Sequence, residues 1–329
     1  MKSCKARLAY YASPLVNIEV LDMGETLQHI WLRIGTSISR LLSNLGNFCF
    51  SISGAPGLRA AAKNSKDDNS DSKSAAFNQY EMRLPHAQNA IDTLDGWTSA
   101  FPIDGLNAGN TPLFADDRVI GALNAYGAVE GLQLLEVGPL EGMHTFILNQ
   151  HRPANIDVIE ANKSCFLRCL VTKEILKLDR ASFYLGDIQE WLRVVDRQYD
   201  FALASGVLYH MPDPGEFLRL LSVRANSLFI WTHYYDDTAM PVQDVRRKPF
   251  SGNVETRSVS GMDVNYYERS YQHAEANASF CGGMKDRHYW LQRDEILDLL
   301  KHLGYSEVVV QDEYPEHPGG PCFSVFARR

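Results

Sequence analysis

The pattern of hydrophobic and polar positions changes near residue 132. Downstream of that point, short apolar runs recur at Leu132–Gly138, Ile156–Ala161, Ser182–Asp187, Tyr199–Gly206 and Ser227–His233. Segments with helical spacing lie between them, most clearly at Lys163–Leu178 and Gly215–Ala225. Short buried strands that alternate with helices are typical of parallel β-α units. The pattern therefore predicts an α/β fold with a doubly wound, mostly parallel sheet.

The alternation is interrupted by residues 234–285, which are rich in polar and aromatic types. It resumes with a predicted helix at Arg293–Leu303, which ends on Gly304, a C-cap signal. Two last strands, "SEVVVQDE" and "CFSVFAR", are joined by the short loop "YPEHPGGP". This loop is too short for a crossover helix, so the two strands are expected to pair as an antiparallel hairpin. The sequence thus predicts a Rossmann-like core over residues 132–329, with a substrate-side insertion at 234–285.

The part of the chain before residue 132 has a different character. Residues 63–76, "KNSKDDNSDSKSAA", are polar and small and predict a flexible linker. The preceding "ETLQHIWLRIGTSISRLLSNLGNF" has apolar residues at helical spacing, so residues 1–62 are expected to form a helical extension. Residues 77–131 are expected to form a loop-rich lead-in, or cap, with one short helix at Arg118–Tyr126 and with Trp97 as a core anchor.

Composition narrows the class of protein. Hydrophobic residues make up 45% and charged residues 22% of the chain, as in ordinary globular proteins. The net charge of -8 makes a nucleic-acid partner unlikely, because a polyanion would be repelled by the mean field. Six scattered cysteines without a C-x-x-C pair, and no apolar run of about 18 residues, favour a cytoplasmic protein without a membrane span. The oligomeric state is left open.

The end of the first predicted strand carries the most informative pattern. Open α/β sheets bind ligands beyond the carboxyl ends of their strands, and here that end reads Glu136-x-Gly138-x-x-x-Gly142. A nicotinamide fingerprint requires glycine also at Leu140 and Met143, which disfavours a Rossmann dehydrogenase. A sulfonium amino acid needs only room for its methionyl part, and a carboxylate at Glu136 favours its cationic ammonium group.

The next strand ends supply further polar groups. Glu160 is placed to accept hydrogen bonds from ribose hydroxyls, and Asp187 from an adenine amino group, while Ile188 offers a backbone N–H and an apolar contact. As single residues, Glu160 and Asp187 could instead be helix N-caps. The fourth strand end, "ASGVLYHMPDP", places a further set near the reacting end of the ligand: Ser205, Gly206, Tyr209 and His210.

Taken together, "LLEVGPLEG", "VIEAN", "LGDI" and "YDFALASGVLYHMPDP" resemble successive motifs of the class I S-adenosylmethionine-dependent methyltransferase superfamily. The resemblance implies that fold and S-adenosyl-L-methionine as the cofactor. The "GVLYH" segment is also similar to enzymes that modify the tRNA wobble uridine with carboxy-S-adenosylmethionine, whose tyrosine touches the cofactor, which implies this role for Tyr209. Their first loop is richer in glycine and their surface is basic, so the tRNA substrate does not carry over.

The acceptor side is expected around "LFIWTHYYDD" and "CGGMKDRHYW". Five residues are predicted to contact the acceptor: Trp231, Tyr234, Tyr235, Arg287 and His288. A hydroxyl acceptor must lose a proton as it attacks, so His210 or His233 is predicted to be the general base. A metal site at His233, Asp236 and Asp237 is disfavoured, because three ligands in one short loop fit poorly, and no metal is expected.

The sequence therefore predicts a methyltransferase that acts on a small-molecule or saccharide acceptor, at oxygen. Two alternatives stay open. One is a tRNA-modifying methyl- or carboxymethyltransferase, suggested by "GVLYH". The other is a non-catalytic cofactor-binding scaffold, suggested by the N-terminal helix and linker.

Overall fold

A computed structural model describes residues 79–274 and 280–329 of the chain. The predicted helical extension and the predicted linker lie outside the described residues. Among the residues that are described, no helix has the length and apolar character that a bilayer crossing requires.

The described residues contain ten strands and seven α-helices. The strands are β1 (Gln133–Val137), β2 (Asn155–Glu160), β3 (Ala181–Leu185), β4 (Phe201–Ser205), β5 (Ser227–His233), β6 (Phe250–Val259), β7 (Met262–Arg269), β8 (His288–Trp290), β9 (Glu307–Tyr314) and β10 (Cys322–Arg328). The helices are α1 (Ala87–Asp92), α2 (Asp117–Tyr126), α3 (Met143–Gln150), α4 (Lys163–Leu176), α5 (Ile188–Val194), α6 (Pro214–Arg224) and α7 (Arg293–His302). Short 3₁₀ turns occur at Leu113–Ala115, Leu208–His210 and Val245–Arg247.

Seven of these strands form the main sheet, in the order β3-β2-β1-β4-β5-β10-β9. The first five are parallel to their neighbours, while β10 runs antiparallel to both β5 and β9. The predicted doubly wound sheet and its terminal hairpin are thus confirmed. The strand order reverses between β1 and β4, which places a ligand crevice above the carboxyl ends of these two strands.

Both faces of the main sheet are buried, because successive residues of a strand point to opposite sides. On β1, Leu135 and Val137 belong to one apolar cluster, with Phe217 and Leu299, whereas Leu134 belongs to the other. This explains why the strands are continuously apolar in sequence and not alternating.

The insertion forms a second sheet that the sequence analysis did not predict. Strands β6, β7 and β8 pair antiparallel in that order, and β8 lies beyond the predicted boundary at 285. The hydroxyl of Tyr266 on β7 accepts a hydrogen bond from Gly215 N–H (3.1 Å) and donates one to Asp213 (2.9 Å), at the start of α6. A Cβ atom at Gly215 would lie 2.2 Å from that hydroxyl. The second sheet is thus packed directly against the carboxyl-end side of the main sheet.

Candidate active site

The loop after β1 has an unusual backbone. Gly138, Leu140 and Gly142 all have positive φ, at 63°, 57° and 82°. A side chain at Gly138 would meet Val207 at 2.8 Å, so both the conformation and the space require glycine there. Leu140 adopts the left-handed conformation despite its Cβ, at a cost of about 1–2 kcal/mol. In return, its backbone N–H donates to the carboxylate of Glu160.

Glu136 is buried at the end of β1, with 1% of its surface exposed. Its Oε2 atom accepts a hydrogen bond from the Thr145 hydroxyl (2.6 Å), while the buried Oε1 has no hydrogen-bond partner among the described residues. Burial raises the pKa of Glu136 to about 7. An unpaired buried carboxylate oxygen costs free energy until a donor or a cation reaches it. The site is therefore suited to a cationic ligand group.

Glu160 lies at the end of the neighbouring strand β2 and is also buried. Its carboxylate accepts hydrogen bonds from the backbone N–H groups of Asn162 (2.7 Å), Ala161 and Leu140, yet burial still raises its pKa to about 7. The N-cap interpretation of Glu160 is wrong, because Asn162 caps α4 by accepting from Ser164 N–H. The two acids influence each other's electrostatics, so both strand ends face one site.

At the next strand end, Asp187 is the N-cap of α5. Its Oδ1 atom accepts a hydrogen bond from Gln189 N–H at 2.8 Å. The side chain of Ile188 is buried in the main core, with 5% of its surface exposed. For Asp187 the structural role is therefore established, and contact of either residue with adenine stays a prediction.

Rings from three strand ends meet beyond β4 and β5 and are called here the aromatic cluster: Tyr209, His210, Trp231, His233 and Trp290. The ring centroid of Tyr209 lies 4.6 Å from that of His233 and 5.9 Å from that of Trp231. His233 stacks on Trp290 at 5.1 Å. Ser205 ends β4 beside this cluster and is half-buried. The predicted base candidates and the predicted tyrosine are thus brought together.

The two histidines differ in which nitrogen carries the proton, as assigned from their hydrogen bonds. His233 Nδ1 lies 2.8 Å from Gly320 O, so Nδ1–H donates and Nε2 keeps its lone pair. His210 Nδ1 lies 2.5 Å from the Tyr271 hydroxyl, which already accepts from Gly283 N–H (2.8 Å). The hydroxyl hydrogen therefore points at His210 Nδ1, and its Nε2 carries the proton. Burial lowers the pKa of His233 to about 3 and that of His210 well below its usual range.

The predicted acceptor residues do not all face the aromatic cluster. Trp231 belongs to it, and His288 is buried next to it, stacked on Tyr271 at 4.1 Å. Tyr234, one residue beyond His233, points to the opposite face, packs on Phe323 and donates to Glu313 (3.0 Å). The prediction of an acceptor contact at Tyr234 is therefore corrected, since its side chain belongs to the main core.

Two further acceptor predictions fall at the border of the site. Tyr235 stacks on Tyr267 at 3.7 Å and lines a cavity of about 110 Å³ within the second sheet. Arg287 pairs with the buried carboxylate of Glu268 (3.2 Å), while 69% of its own side chain is exposed. Its contact with the acceptor stays a prediction.

Several residues near the cluster were not anticipated from sequence: Arg118, Arg269, Tyr271 and Trp290. Arg118 lies over the Trp231 ring at 4.6 Å and pairs with Asp116 at 2.6 Å. Arg269 and Tyr271 come from the second sheet and the segment after it. The arginine at the end of "MDVNYYER" could have indicated a site residue. Recognising it would have required knowing where this strand packs.

A group of potential metal ligands also lies here. His233, His317 and Cys322 are buried, with ligand atoms within 4.8 Å of one another. The Nδ1 atom of His317 is occupied by Gly319 N–H (3.0 Å), and burial raises the pKa of the Cys322 thiol to about 12. The nearby Arg118 cation also opposes a divalent ion. We therefore assign no metal to this group. Asp236 and Asp237 instead cap a turn and pair with Arg247.

Comparison with known proteins gives matches at the level of structure. No protein-family model matches the chain, and no curated protein matches it. The N-terminal domain of EvdMO1, solved with SAH bound, is 22% identical to this chain, with a TM-score of 0.55. The match covers 73% of this chain and 94% of that domain. The same domain in the presence of SAH and D-fucose gives the same values. Full-length EvdMO1 has a TM-score of 0.50 at 19% identity, with 73% of this chain and 46% of that one covered.

These matches bear on the fold alone, which in this chain has the strand order β3-β2-β1-β4-β5-β10-β9 and a terminal antiparallel hairpin. The chain has the fold of the class I S-adenosylmethionine-dependent methyltransferases.

Proposed function

We propose that this protein is an S-adenosyl-L-methionine-dependent methyltransferase that acts at an oxygen atom of a small-molecule or saccharide acceptor. The observation that carries the proposal is the pair of buried carboxyls, Glu136 and Glu160, at the ends of neighbouring strands. One has an orphaned oxygen and both have a pKa raised to about 7. Such costly groups are expected where a ligand completes the site.

The residues at the strand ends match the successive parts of the cofactor. Glu136, Gly138 and Gly142 hold the methionyl part, with Glu136 Oε1 accepting from the ammonium group. Glu160 accepts from the ribose hydroxyls, and Asp187 and Ile188 border the adenine. Ser205 and Tyr209 lie at the sulfonium end. Tyr209 is buried, and its ring lies 4.6 Å from that of His233.

When bound, the cofactor supplies a methyl group that is already activated by its sulfonium charge. The protein then has to orient the acceptor hydroxyl, exclude water and take up a proton. His233 is the better placed base, because its Nδ1–H is held by Gly320 O and its Nε2 keeps a free lone pair. His210 would first have to exchange protons with Tyr271. The aromatic rings around both histidines shield the reaction from water.

Calorimetry with S-adenosylmethionine, SAH and NAD tests the cofactor assignment. We expect SAM and SAH to bind and NAD not to bind. Glu136→Gln and Glu160→Gln should each weaken SAH binding about 10- to 100-fold, because each removes a charge-assisted hydrogen bond. Glu130→Gln is the matched control, since Glu130 is exposed and pairs only with Arg152. Binding of NAD in place of SAH would overturn the proposal.

Methyl transfer is tested separately with methyl-labelled S-adenosylmethionine and a fractionated metabolite extract. We expect labelled product with the parent protein and about 10- to 100-fold less with Glu136→Gln at sub-saturating cofactor. SAH binding without label transfer to any fraction would favour the non-catalytic scaffold.

A further inference from the structure

Arg269 is the last residue of β7 and extends into the region of the aromatic cluster. Its guanidinium lies over the ring of Trp290 (5.0 Å) and near that of Phe250 (5.8 Å). Its charge acts on His210, His233 and Tyr209, so it faces the same space as the proposed base. The residue as a whole is half-buried, and its Nε atom is enclosed.

The contacts of Arg269 do not include an acid. Its Nη1 atom donates to His288 Nε2 (3.2 Å), which is a neutral acceptor because His288 Nδ1 donates to Asp286 O (2.8 Å). Its Nε has no hydrogen-bond partner, and no carboxylate of the described residues lies within salt-bridge distance. The neighbouring Glu268 pairs instead with Arg287.

Two other arginines of the described chain, by contrast, have an acidic partner. Arg118 pairs with Asp116 at 2.6 Å, and Arg168 lies 3.2 Å from Glu141. A guanidinium stays charged in proteins, so an enclosed one without a counter-ion is unfavourable. Burial accordingly lowers the pKa of Arg269, while Tyr271 and Tyr209 oppose that shift. Among the described residues Arg269 has no acidic partner, and an oxyanion is the ligand that an arginine fork binds best.

We propose that Arg269 binds a carboxylate or phosphate group of the acceptor, so that the methylated substrate is an anionic molecule. This inference rests on the methyltransferase proposal.

The methionyl carboxylate of the cofactor is the other source of negative charge to consider for Arg269. Arg118 is closer to that part, because its partner Asp116 also contacts His144 (3.0 Å) in the first turn of α3, beside the β1 loop. Arg269 belongs to the second sheet, on the acceptor side.

The test uses thermal unfolding and the NMR signals of arginine Nε–H groups in the full-length protein. Inorganic phosphate and benzoate are titrated into SAH-saturated protein. We expect a saturable shift of the Arg269 Nε–H signal with a Kd in the millimolar range, together with a rise in Tm. Arg269→Met keeps the aliphatic stem and removes the charge, so both responses should disappear. The control Arg152→Gln, at an exposed arginine that pairs with Glu130, should retain both.

Two outcomes would overturn the inference. The first is that neither anion produces a saturable response at Arg269. The second is that SAH alone shifts the Arg269 signal while 5′-methylthioadenosine, which lacks the amino-acid part, does not. If SAH does not bind, the proposed function is contradicted and not the inference about Arg269. The anion titration is then carried out without SAH.

Discussion

At the scale of single residues, the site is defined by acids and histidines whose burial disfavours their charged forms. Glu136 and Glu160 have pKa values raised to about 7, and His210, His233 and His288 have lowered ones. All five shifts have burial as their largest cause. The surroundings of these five side chains are therefore poorly hydrated, and a charged ligand bound there is expected to change their protonation states.

The raised pKa of Glu136 makes stability depend on pH in a defined window. Its folded pKa of about 7 exceeds the ordinary value of 4.5, so the folded protein binds more protons between these values. The ligand-free protein should therefore lose stability as pH rises through 7. The buried histidines act oppositely, but only below about pH 6.5. Between pH 6.5 and 8, the free energy of unfolding measured in urea should therefore fall less with rising pH for Glu136→Gln than for the parent protein. Equal slopes for both proteins would contradict this assignment.

His233 should matter to turnover and not to cofactor affinity. Its Nε2 is free to take a proton, so His233→Gln should reduce kcat by about 10²- to 10⁴-fold with the true acceptor. The Kd for SAH should change little. Because the pKa of His233 is lowered to about 3, no loss of activity attributable to this base is expected between pH 5 and 7. His210→Gln provides the comparison, and a larger effect there would transfer the role to His210.

Residue by residue, the sequence revealed the groups at strand ends and missed those that depend on packing. Glu136 and Glu160 could be located because their strands and the following turns are local features. Tyr234 was misjudged because a one-residue step along a strand reverses the direction of a side chain. Arg269 was missed because its position follows from how a second sheet packs on the first.

At the scale of elements, the parallel strands and their helices followed from apolar runs, whereas the insertion did not reveal its strands. Its sequence does alternate, with Val264, Tyr266 and Glu268 buried along β7. A turn signal is also present, since Ser260 and Gly261 both have positive φ between β6 and β7. The frequent polar residues concealed this hairpin, because its outer face is exposed to solvent.

The contact between α6 and the second sheet leads to a stability prediction. Gly215→Ala places a Cβ atom 2.2 Å from the Tyr266 hydroxyl and 2.6 Å from Val259. It should lower the free energy of unfolding by about 1–3 kcal/mol through overpacking. Gly121→Ala on α2 is the matched control, because nothing lies within 4 Å of its Cβ position. That change should stabilise the helix by about 0.5–1 kcal/mol. Equal effects of the two substitutions would contradict the described packing.

At the scale of the whole described molecule, both sheets contribute side chains to the aromatic cluster and its surroundings. The main sheet provides the strand-end acids and the histidines, and the second sheet adds Trp290 and Arg269. The cofactor part of the site thus depends on the sheet order that the sequence predicted. The acceptor part depends on the insertion, whose arrangement sequence patterns did not reveal.

The central claim, that Glu136 and Glu160 receive a cationic nucleoside ligand, is tested most directly by calorimetry of SAH binding near pH 6.5 in buffers of different ionisation enthalpy. Both carboxyls have a pKa of about 7 in the free protein, and the ammonium and the ribose favour their ionised forms. We therefore expect SAH to bind with release of protons, and the release to vanish in the Glu136→Gln, Glu160→Gln double variant. Binding of SAH without proton release, or equally tight binding by the double variant, would contradict the account.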